Sequence, residues 1–144
     1  MTYSKSGYPS SSNPNAINRY KTIGVETADP GKLLIMLYDA AIGNCKKAKI
    51  YLQKGDMAAK GKAINKAQAI LNEFITTLDY SVAPELCANL ESLYFFMIDQ
   101  LTQANINKDP APIDTVIKLL DDLRSAWKVA VEQTSSKNAK SNKL

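Results

Sequence analysis

Four stretches of similar length repeat the apolar spacing of an α-helix, and this pattern constrains the fold more than any other feature of the chain. Within each stretch the apolar residues recur three or four positions apart, so they line one side of a helix. Helix-breaking sequences at 54–56, 82–84 and 107–112 separate the stretches. Because these connections are short, successive helices run antiparallel. The sequence therefore predicts an all-α fold, an antiparallel up-down-up-down four-helix bundle.

Helix-start signals and apolar stripes locate the four segments. Asp29 precedes Pro30, and Asp56 follows Gly55, so each Asp is placed to cap the N-terminus of a helix. The stripes predicted to form the core are, in chain order, Leu34, Leu37, Tyr38, Ala41, Cys45, Ala48 and Leu52; Met57, Ile64, Ala67, Leu71, Phe74, Ile75 and Leu78; Leu86, Leu90, Leu93, Met97, Leu101 and Ala104; and Ile113, Val116, Leu120, Leu123, Trp127 and Val131.

The two ends of the chain differ in composition from its middle. Residues 1–15 are rich in Ser, Asn and Pro, and residues 134–144 are polar and carry lysines, so both are predicted to be flexible tails. The bundle domain is predicted to span 16–133, with a short extra helix around 16–22. The longest apolar run, 33–38, is far shorter than the about 20 residues of a membrane span. With no secretory signal visible, the sequence favours a cytoplasmic protein without membrane insertion.

The chain contains no histidine, which excludes several kinds of catalytic and metal site. Ser–His and Cys–His nucleophile pairs, Glu-x-x-His di-metal sites and histidine-ligated haem all require one. Cys45 and Cys87 are isolated and are expected to be buried thiols, and two Cys without His do not complete an ordinary zinc site. No Gly-rich phosphate loop is present. We therefore expect no enzymatic activity, no cofactor and no metal.

Charge is distributed unevenly along the chain. Residues 1–78 carry 11 basic and 5 acidic groups, whereas residues 79–132 carry 4 basic and 9 acidic groups. Nucleic-acid binders usually concentrate positive charge on one face, together with base-stacking aromatics or a recognition helix. Here the lysines lie on the polar sides of the first two segments, beside acidic helices. The favoured interpretation is a solvated face, with help in steering an acidic partner as the next alternative, and no nucleic-acid partner is expected.

The segments carry more apolar residues than the core stripe of a bundle helix needs. The first segment carries a second apolar row along its length, and further apolar residues lie beside the stripes of the second and fourth segments. In the third segment, Phe95 lies nearly opposite the core direction. Two interpretations remain open. The extra rows widen the core, or they line grooves for an incoming amphipathic helix. Their presence on more than one helix favours grooves without selecting the residues.

Three stretches, in the right order, resemble a known family. NAINRYKTIGVETADPGKLLIMLYDAAI begins at Asn15, LESLYFFMIDQLTQANINKD at Leu90 and IKLLDDLRSAWKVA at Ile117. Together they cover about residues 15–132 and resemble the flagellar secretion chaperone family, FliS. The chain departs from the family pattern at 80–84, where the family often has a Gly-bearing turn.

The resemblance implies a cytoplasmic chaperone that binds the C-terminal, helix-forming segment of flagellin. Such a protein prevents premature polymerisation and supports delivery of flagellin to the flagellar type III export apparatus, and an export-gate component is an implied second partner. The main alternative is a generic helical-bundle adaptor or structural protein with a different helical client. A nucleic-acid binder is a distant third.

The resemblance also directs attention to particular residues. It implies that the N-terminal segment caps one groove until flagellin displaces it, although permanent packing of that segment is an alternative. Asn105 and Asp109 are expected to cap the third helix, and Leu123 and Trp127 to be structural. The cap candidates are Ile17, Tyr20 and Ile23. The candidate flagellin-contacting residues are Leu33, Met36, Ala40, Ile70, Phe74, Tyr94, Phe95, Leu119 and Ala126.

Overall fold

A computed structural model describes residues 29–142, which form four helices. These are α1 (Pro30–Lys54), α2 (Met57–Thr76), α3 (Pro84–Asn107) and α4 (Ala111–Asn142). Both α1 and α3 pack against α2 and α4, so the four helices form a closed ring in which each contacts two neighbours. The predicted four-helix bundle is confirmed. The predicted extra helix around 16–22 lies outside the described residues.

The first two helices begin and end where their capping residues require. The carboxylate of Asp29 accepts a hydrogen bond from the Lys32 N–H at 2.8 Å, and that of Asp56 accepts one from the Ala59 N–H at 3.1 Å. Between the helices Gly55 has a φ of 79°, in the left-handed region that glycine enters without steric cost. This geometry ends α1 and reverses the chain within two residues, as the sequence predicted.

The turn between α3 and α4 differs in one respect from the sequence prediction. Lys108 adopts a φ of 54° and ends α3, and its N–H donates to the Ala104 carbonyl. The Asp109 carboxylate accepts a hydrogen bond from the Ala111 N–H at 3.0 Å and caps the start of α4, while the Asp109 backbone N–H donates to the Ala104 carbonyl at 3.3 Å at the end of α3. The backbone carbonyl of Asn105 accepts a hydrogen bond from the buried Lys60 amine at 3.1 Å. A cation at this end of α3 is favourable because helix C-termini carry partial negative charge.

The core follows the predicted stripes, with one clear exception. Leu86 was predicted to be buried, but 52% of it is exposed. Cys87 is buried instead, and its thiol donates to the Asp79 carbonyl at 3.3 Å. In the first turn of α3, Cys87 therefore packs against the connection from α2, and Leu86, one position earlier, faces solvent. Both cysteines are buried free thiols.

Four aromatic residues, one from each helix, meet inside the bundle. The Tyr38 and Tyr94 hydroxyls are 2.6 Å apart, and the Trp127 indole N–H donates to the Tyr38 hydroxyl at 3.1 Å. Phe74 stacks on Tyr38 with ring centroids 4.5 Å apart and lies 5.4 Å from the Tyr94 ring. These contacts satisfy the buried polar atoms and connect all four helices.

The seam between α1 and α4 is close. A Cβ atom added to Gly31 would lie 2.8 Å from one methyl carbon of Val131. Lys49 and Asp114 form an ion pair of 2.8 Å across the same seam, and Arg124 pairs with Asp39. Beyond Val131, α4 continues to Asn142. The predicted flexibility of residues 134–144 stays a prediction.

Candidate helix-binding surfaces

The described part of the chain carries apolar side chains that the bundle leaves exposed. No group of three or more Cys, Asp or Glu side chains among residues 29–142 is placed to hold a metal ion. Within the same range, none of the helices combines the length and apolarity that crossing a membrane requires. The candidate sites are therefore the apolar surfaces that the bundle leaves uncovered.

The first surface is a row along α1, called the outer row of α1, in which Leu33 and Ala40 pack against the edge of the core and the other residues lie farther from it. Leu33, Met36 and Ala40 are half-buried, and Gly43 and Ile50 continue the row toward the end of the helix. Met36, Gly43 and Ile50 are spaced seven residues apart, so they lie on one line along the helix. Ile50 is 48% exposed, and a Cβ atom added to Gly43 would meet no atom within 4 Å. This row is an open, shallow track of one helix width.

The second surface lies on α3 and α4. Phe95 is 52% exposed and Phe96 45% exposed, which is unusual for two adjacent phenylalanines. The two side chains are about 100° apart around α3. On α4, Leu119 is half-buried and Ala126 is exposed, and their seven-residue spacing places both on one side of that helix. This surface therefore presents aromatic side chains on one helix and smaller apolar side chains on the next.

Three of the predicted groove residues are in the core. Only 5% of Ile70, 4% of Phe74 and 3% of Tyr94 is exposed. Phe74 and Tyr94 belong to the aromatic contacts that connect the four helices, so they are not accessible to a partner while the bundle is intact. The placement corrects the expectation of an open groove at these three positions. Helical periodicity had placed Phe74 on the core stripe of its segment and Ile70 beside it, without giving the depth of either side chain.

A cleft that the sequence did not reveal lies where α1 begins and the second half of α4 passes it. It encloses about 400 Å³. Leu34, Trp127 and Val131 were predicted as core, yet they are only half-buried and line this cleft. The residues around it are Asp29, Pro30, Gly31, Leu34, Trp127, Ala130, Val131 and Thr134. The close approach at Gly31 shapes one wall, which a hydrophobic pattern alone does not indicate.

Exposed apolar side chains also collect at that end of the bundle. The antiparallel order places the starts of α1 and α3 and the end of α2 at one end, and Val131 lies beside Gly31 there. Val82 is 79% exposed and Val129 57% exposed, and Leu86 and Tyr80 are also exposed. The cap candidates Ile17, Tyr20 and Ile23 lie outside the described residues.

The charge imbalance of the sequence becomes a difference between two halves of the bundle. Residues 29–78, which include α1 and α2, carry 8 basic and 4 acidic groups, and residues 79–132 carry 4 basic and 9 acidic groups. Two ion pairs join the halves at the α1–α4 seam. The α1–α2 pair is therefore net positive and the α3–α4 pair net negative.

The ionisable groups with clearly shifted pKa values are mostly structural. Burial raises the pKa of the Cys45 thiol to about 12, so the thiol stays protonated and unreactive. Burial is also the main cause that raises the pKa of Tyr38 and of Tyr94. The Asp39 carboxylate beside Arg124 raises the pKa of that guanidinium.

Comparison with known proteins identifies close relatives of this chain. A family model described as flagellar protein FliS matches residues 13–134. The chain is 36% identical over 119 residues to the flagellar secretion chaperone FliS of Salmonella typhimurium (strain LT2), covering 79% of this chain and 88% of that protein. It is 34% identical over 118 residues to the protein of the same name from Bacillus subtilis (strain 168), covering 82% and 87%.

A solved structure shares the fold. The chain aligns with a protein described as "Crystal structure of flagellar chaperone from bacteria" with a TM-score of 0.68 and 22% identity. The alignment covers 84% of this chain and 98% of the other. At this identity the likeness supports the bundle architecture, and the sequence comparisons carry the family assignment.

Proposed function

The chain belongs to the FliS family of flagellar proteins, as its three sequence motifs indicated, and we propose that it is a cytoplasmic flagellar secretion chaperone that binds the C-terminal segment of flagellin. In this role it keeps flagellin monomers from polymerising early and supports their delivery to the flagellar type III export apparatus. An export-gate component is the proposed second partner. The protein acts by binding and carries out no reaction of its own.

The observation that carries this proposal is that the bundle leaves apolar side chains uncovered on more than one side. The outer row of α1, the exposed Phe95 and Phe96, and the cleft beside Trp127 lie on different helices. A small-molecule ligand would need one enclosed pocket, whereas a long segment that wraps around the bundle needs several shallow surfaces. The surfaces therefore favour a polypeptide client.

Binding of this kind couples folding of the client to association. A disordered segment gains helical structure as its apolar side chains are buried, and such interfaces bury on the order of 1,000–3,000 Å². Ordering the segment costs several kcal/mol, which lowers the net affinity. A chaperone that later releases its cargo benefits from that cost, because the complex forms with specificity without becoming irreversible.

The client-contact residues that we propose are apolar residues that the structure leaves exposed or only half-buried. Their apolar side chains face solvent or lie beside exposed positions, so they gain burial when a helix docks. They are Leu33, Met36, Ala40, Phe95, Leu119 and Ala126, to which the structure adds Phe96. We further propose that Ile17, Tyr20 and Ile23 belong to a segment that covers one of these surfaces until the client displaces it.

Calorimetric titration of the full chain with a flagellin C-terminal segment tests the proposal. We expect a 1:1 complex with a negative heat-capacity change, and we expect Phe95→Ala to weaken binding by about ten-fold or more, as for an aromatic anchor. Ile106→Ala, which removes an exposed apolar side chain near the other end of α3, is the control and should change affinity little. Removal of residues 1–23 should leave binding unchanged or tighter if that segment is a displaceable cap.

The alternative function, a helical adaptor for a different client, has a distinct outcome. No binding of the flagellin segment to a folded chain would contradict the chaperone proposal and favour the adaptor. A large loss of affinity on removal of residues 1–23, with the helical fold retained, would contradict the displaceable cap alone.

A further inference from the structure

We propose that the outer face of the α1–α2 pair binds a client helix whose polar flanks are acidic. This inference rests on the proposed function and adds to it the chemistry of the bound helix at one particular surface. Its basis is an apolar track bordered by lysines that have no acidic partner among the described residues.

The apolar floor of this face is the outer row of α1. Met36, Gly43 and Ile50 lie on one line, and the row extends over residues 33–50, about 26 Å at 1.5 Å per residue. Because no atom lies within 4 Å of a Cβ added to Gly43, the middle of the row is low and open. A helix that docks along this row approaches the α1 backbone most closely at Gly43.

Exposed lysines lie within and beside this floor. Lys47 and Lys54 lie in line with Met36 on α1, whereas Lys62 and Lys66 lie on the side of α2 away from Gln68, which contacts α3. All four are exposed, and the ion pairs of residues 29–142 do not include them. Lys49, by contrast, turns toward α4 and pairs with Asp114. The lysines of the outer face therefore remain available to a partner.

Ile50 shows that the apolar and basic features belong to one surface. It is 48% exposed, and Lys46, Lys47 and Lys54 stand three or four positions away, which makes them its neighbours on the helix surface. An apolar side chain of a docked helix would cover Ile50, while carboxylates on the flank of that helix would meet the lysines. A helix with basic flanks would instead face four uncompensated positive charges.

The negative charge of the α3–α4 half disfavours binding of the same acidic helix there. Phe95 and Phe96 lie on the net negative α3–α4 half, where the same acidic flanks would be repelled. The two halves therefore discriminate between client helices by charge, and this fixes which part of a wrapped client lies on α1 and α2.

Charge reversal in the full-length chain tests the inference. The double variant Lys47→Glu/Lys66→Glu should bind the flagellin C-terminal segment about ten-fold more weakly than the unmodified chain, because each reversal replaces an attraction with a repulsion. Lys118→Glu/Lys128→Glu, on exposed positions of α4, makes the same change in net charge and should alter the affinity by less than about two-fold. Raising NaCl from about 50 to about 500 mM should weaken the unmodified complex more than the Lys47/Lys66 variant complex.

Two synthetic peptides test the charge preference of this face independently of the flagellin sequence. Both are amphipathic 18-residue helices with one apolar face, and their flanks carry either Glu or Lys. We expect the Glu peptide to bind at least about ten-fold more tightly than the Lys peptide, and the Lys47→Glu/Lys66→Glu variant to lose that preference. Gly43→Ala should weaken binding of the Glu peptide, whereas Gly61→Ala, which also adds a methyl group in open space on α2, should not.

The outcomes separate this inference from the proposed function. If flagellin binds the unmodified chain and both charge-reversal pairs equally, the inference is contradicted and the proposed function is retained. If the unmodified chain does not bind flagellin, the proposed function fails, and so does the assignment of this face to a flagellin helix. Equal binding of the Glu and Lys peptides would contradict the charge selection itself.

Discussion

The Tyr38 hydroxyl illustrates how single residues hold this bundle in one arrangement. It accepts the Trp127 N–H, shares a hydrogen bond with the Tyr94 hydroxyl, and its ring stacks on Phe74. A different helix register would leave at least one of these buried polar atoms without a partner, at a cost of about 1–3 kcal/mol for each. The aromatic contacts therefore add specificity to a core that is otherwise aliphatic.

The buried Tyr38 hydroxyl and Cys45 thiol predict how the stability of the bundle responds to alkaline pH. Burial raises the pKa of Tyr38 far above its ordinary 10.0 and that of Cys45 from 9.0 to about 12. In the unfolded chain both groups lose their protons near their ordinary values, while the folded chain retains them. The contribution of these two protonated groups to the free energy of unfolding is therefore complete below about pH 9 and is lost as the pH rises above that value.

Urea unfolding measured at about pH 8 and about pH 10.5 checks this dependence. The midpoint should fall at the higher pH, and Tyr38→Phe, which removes one titrating group, should show a smaller fall between the two values. The variant loses hydrogen bonds and should be less stable at both. Equal midpoints at the two pH values for the unmodified chain would contradict the burial of these protons.

Residue depth is the property that the sequence predicted least well. The pattern placed Tyr38 and Trp127 on the core stripes, and the structure connects them. Phe74 was predicted both on a core stripe and at a groove and is core, and Tyr94 was expected at a groove and is core instead. A period of 3.6 residues gives the direction of a side chain around its helix, but its burial depends on how far the neighbouring helix stands, and no local pattern encodes that distance.

At the scale of elements, the helix ends were the most predictable feature. Asp29, Asp56 and Gly55 determine local geometry through hydrogen bonds and a left-handed φ, and each acts within a few residues. The prediction for Leu86 was wrong because Cys87 is the buried residue in the first turn of α3, with its thiol donating to the Asp79 carbonyl. Local chemistry therefore predicted where helices begin, whereas packing determined which side chains of the first turn are buried.

The α1–α4 seam gives a prediction at this scale. Gly31→Ala should lower the free energy of unfolding by about 1–2 kcal/mol, because the new methyl group lies too close to Val131 and overpacks the seam. Val131→Ala in the same chain should recover part of that loss. Denaturant unfolding of the two variants and of the unmodified chain provides the measurement.

Gly43→Ala is the matched control for that experiment. The methyl group added at position 43 of the same helix points into open space. The variant should therefore raise the free energy of unfolding by about 0.5–1 kcal/mol. A Gly31→Ala chain that is as stable as the Gly43→Ala chain would show that α1 and α4 are not closely packed at this point.

At the scale of the whole molecule, the bundle divides two tasks between its inside and its outside. The inside holds four helices together through apolar stripes and one aromatic cluster. The outside carries apolar rows, a cleft and two oppositely charged halves, which the stability of the bundle does not require. The sequence predicted that excess apolar residues exist, and the structure separates those that widen the core from those that remain accessible.

Hydrogen–deuterium exchange of the full chain, alone and with a flagellin C-terminal segment, tests most directly whether a client covers these surfaces. Amide protection should appear throughout the bound part of the flagellin segment as it becomes helical, and protection of the chain should increase along the outer row of α1 and around Phe95 and Phe96. Exchange that stays unchanged in both partners at saturating concentrations, or a flagellin segment that binds without gaining protection, would contradict the account.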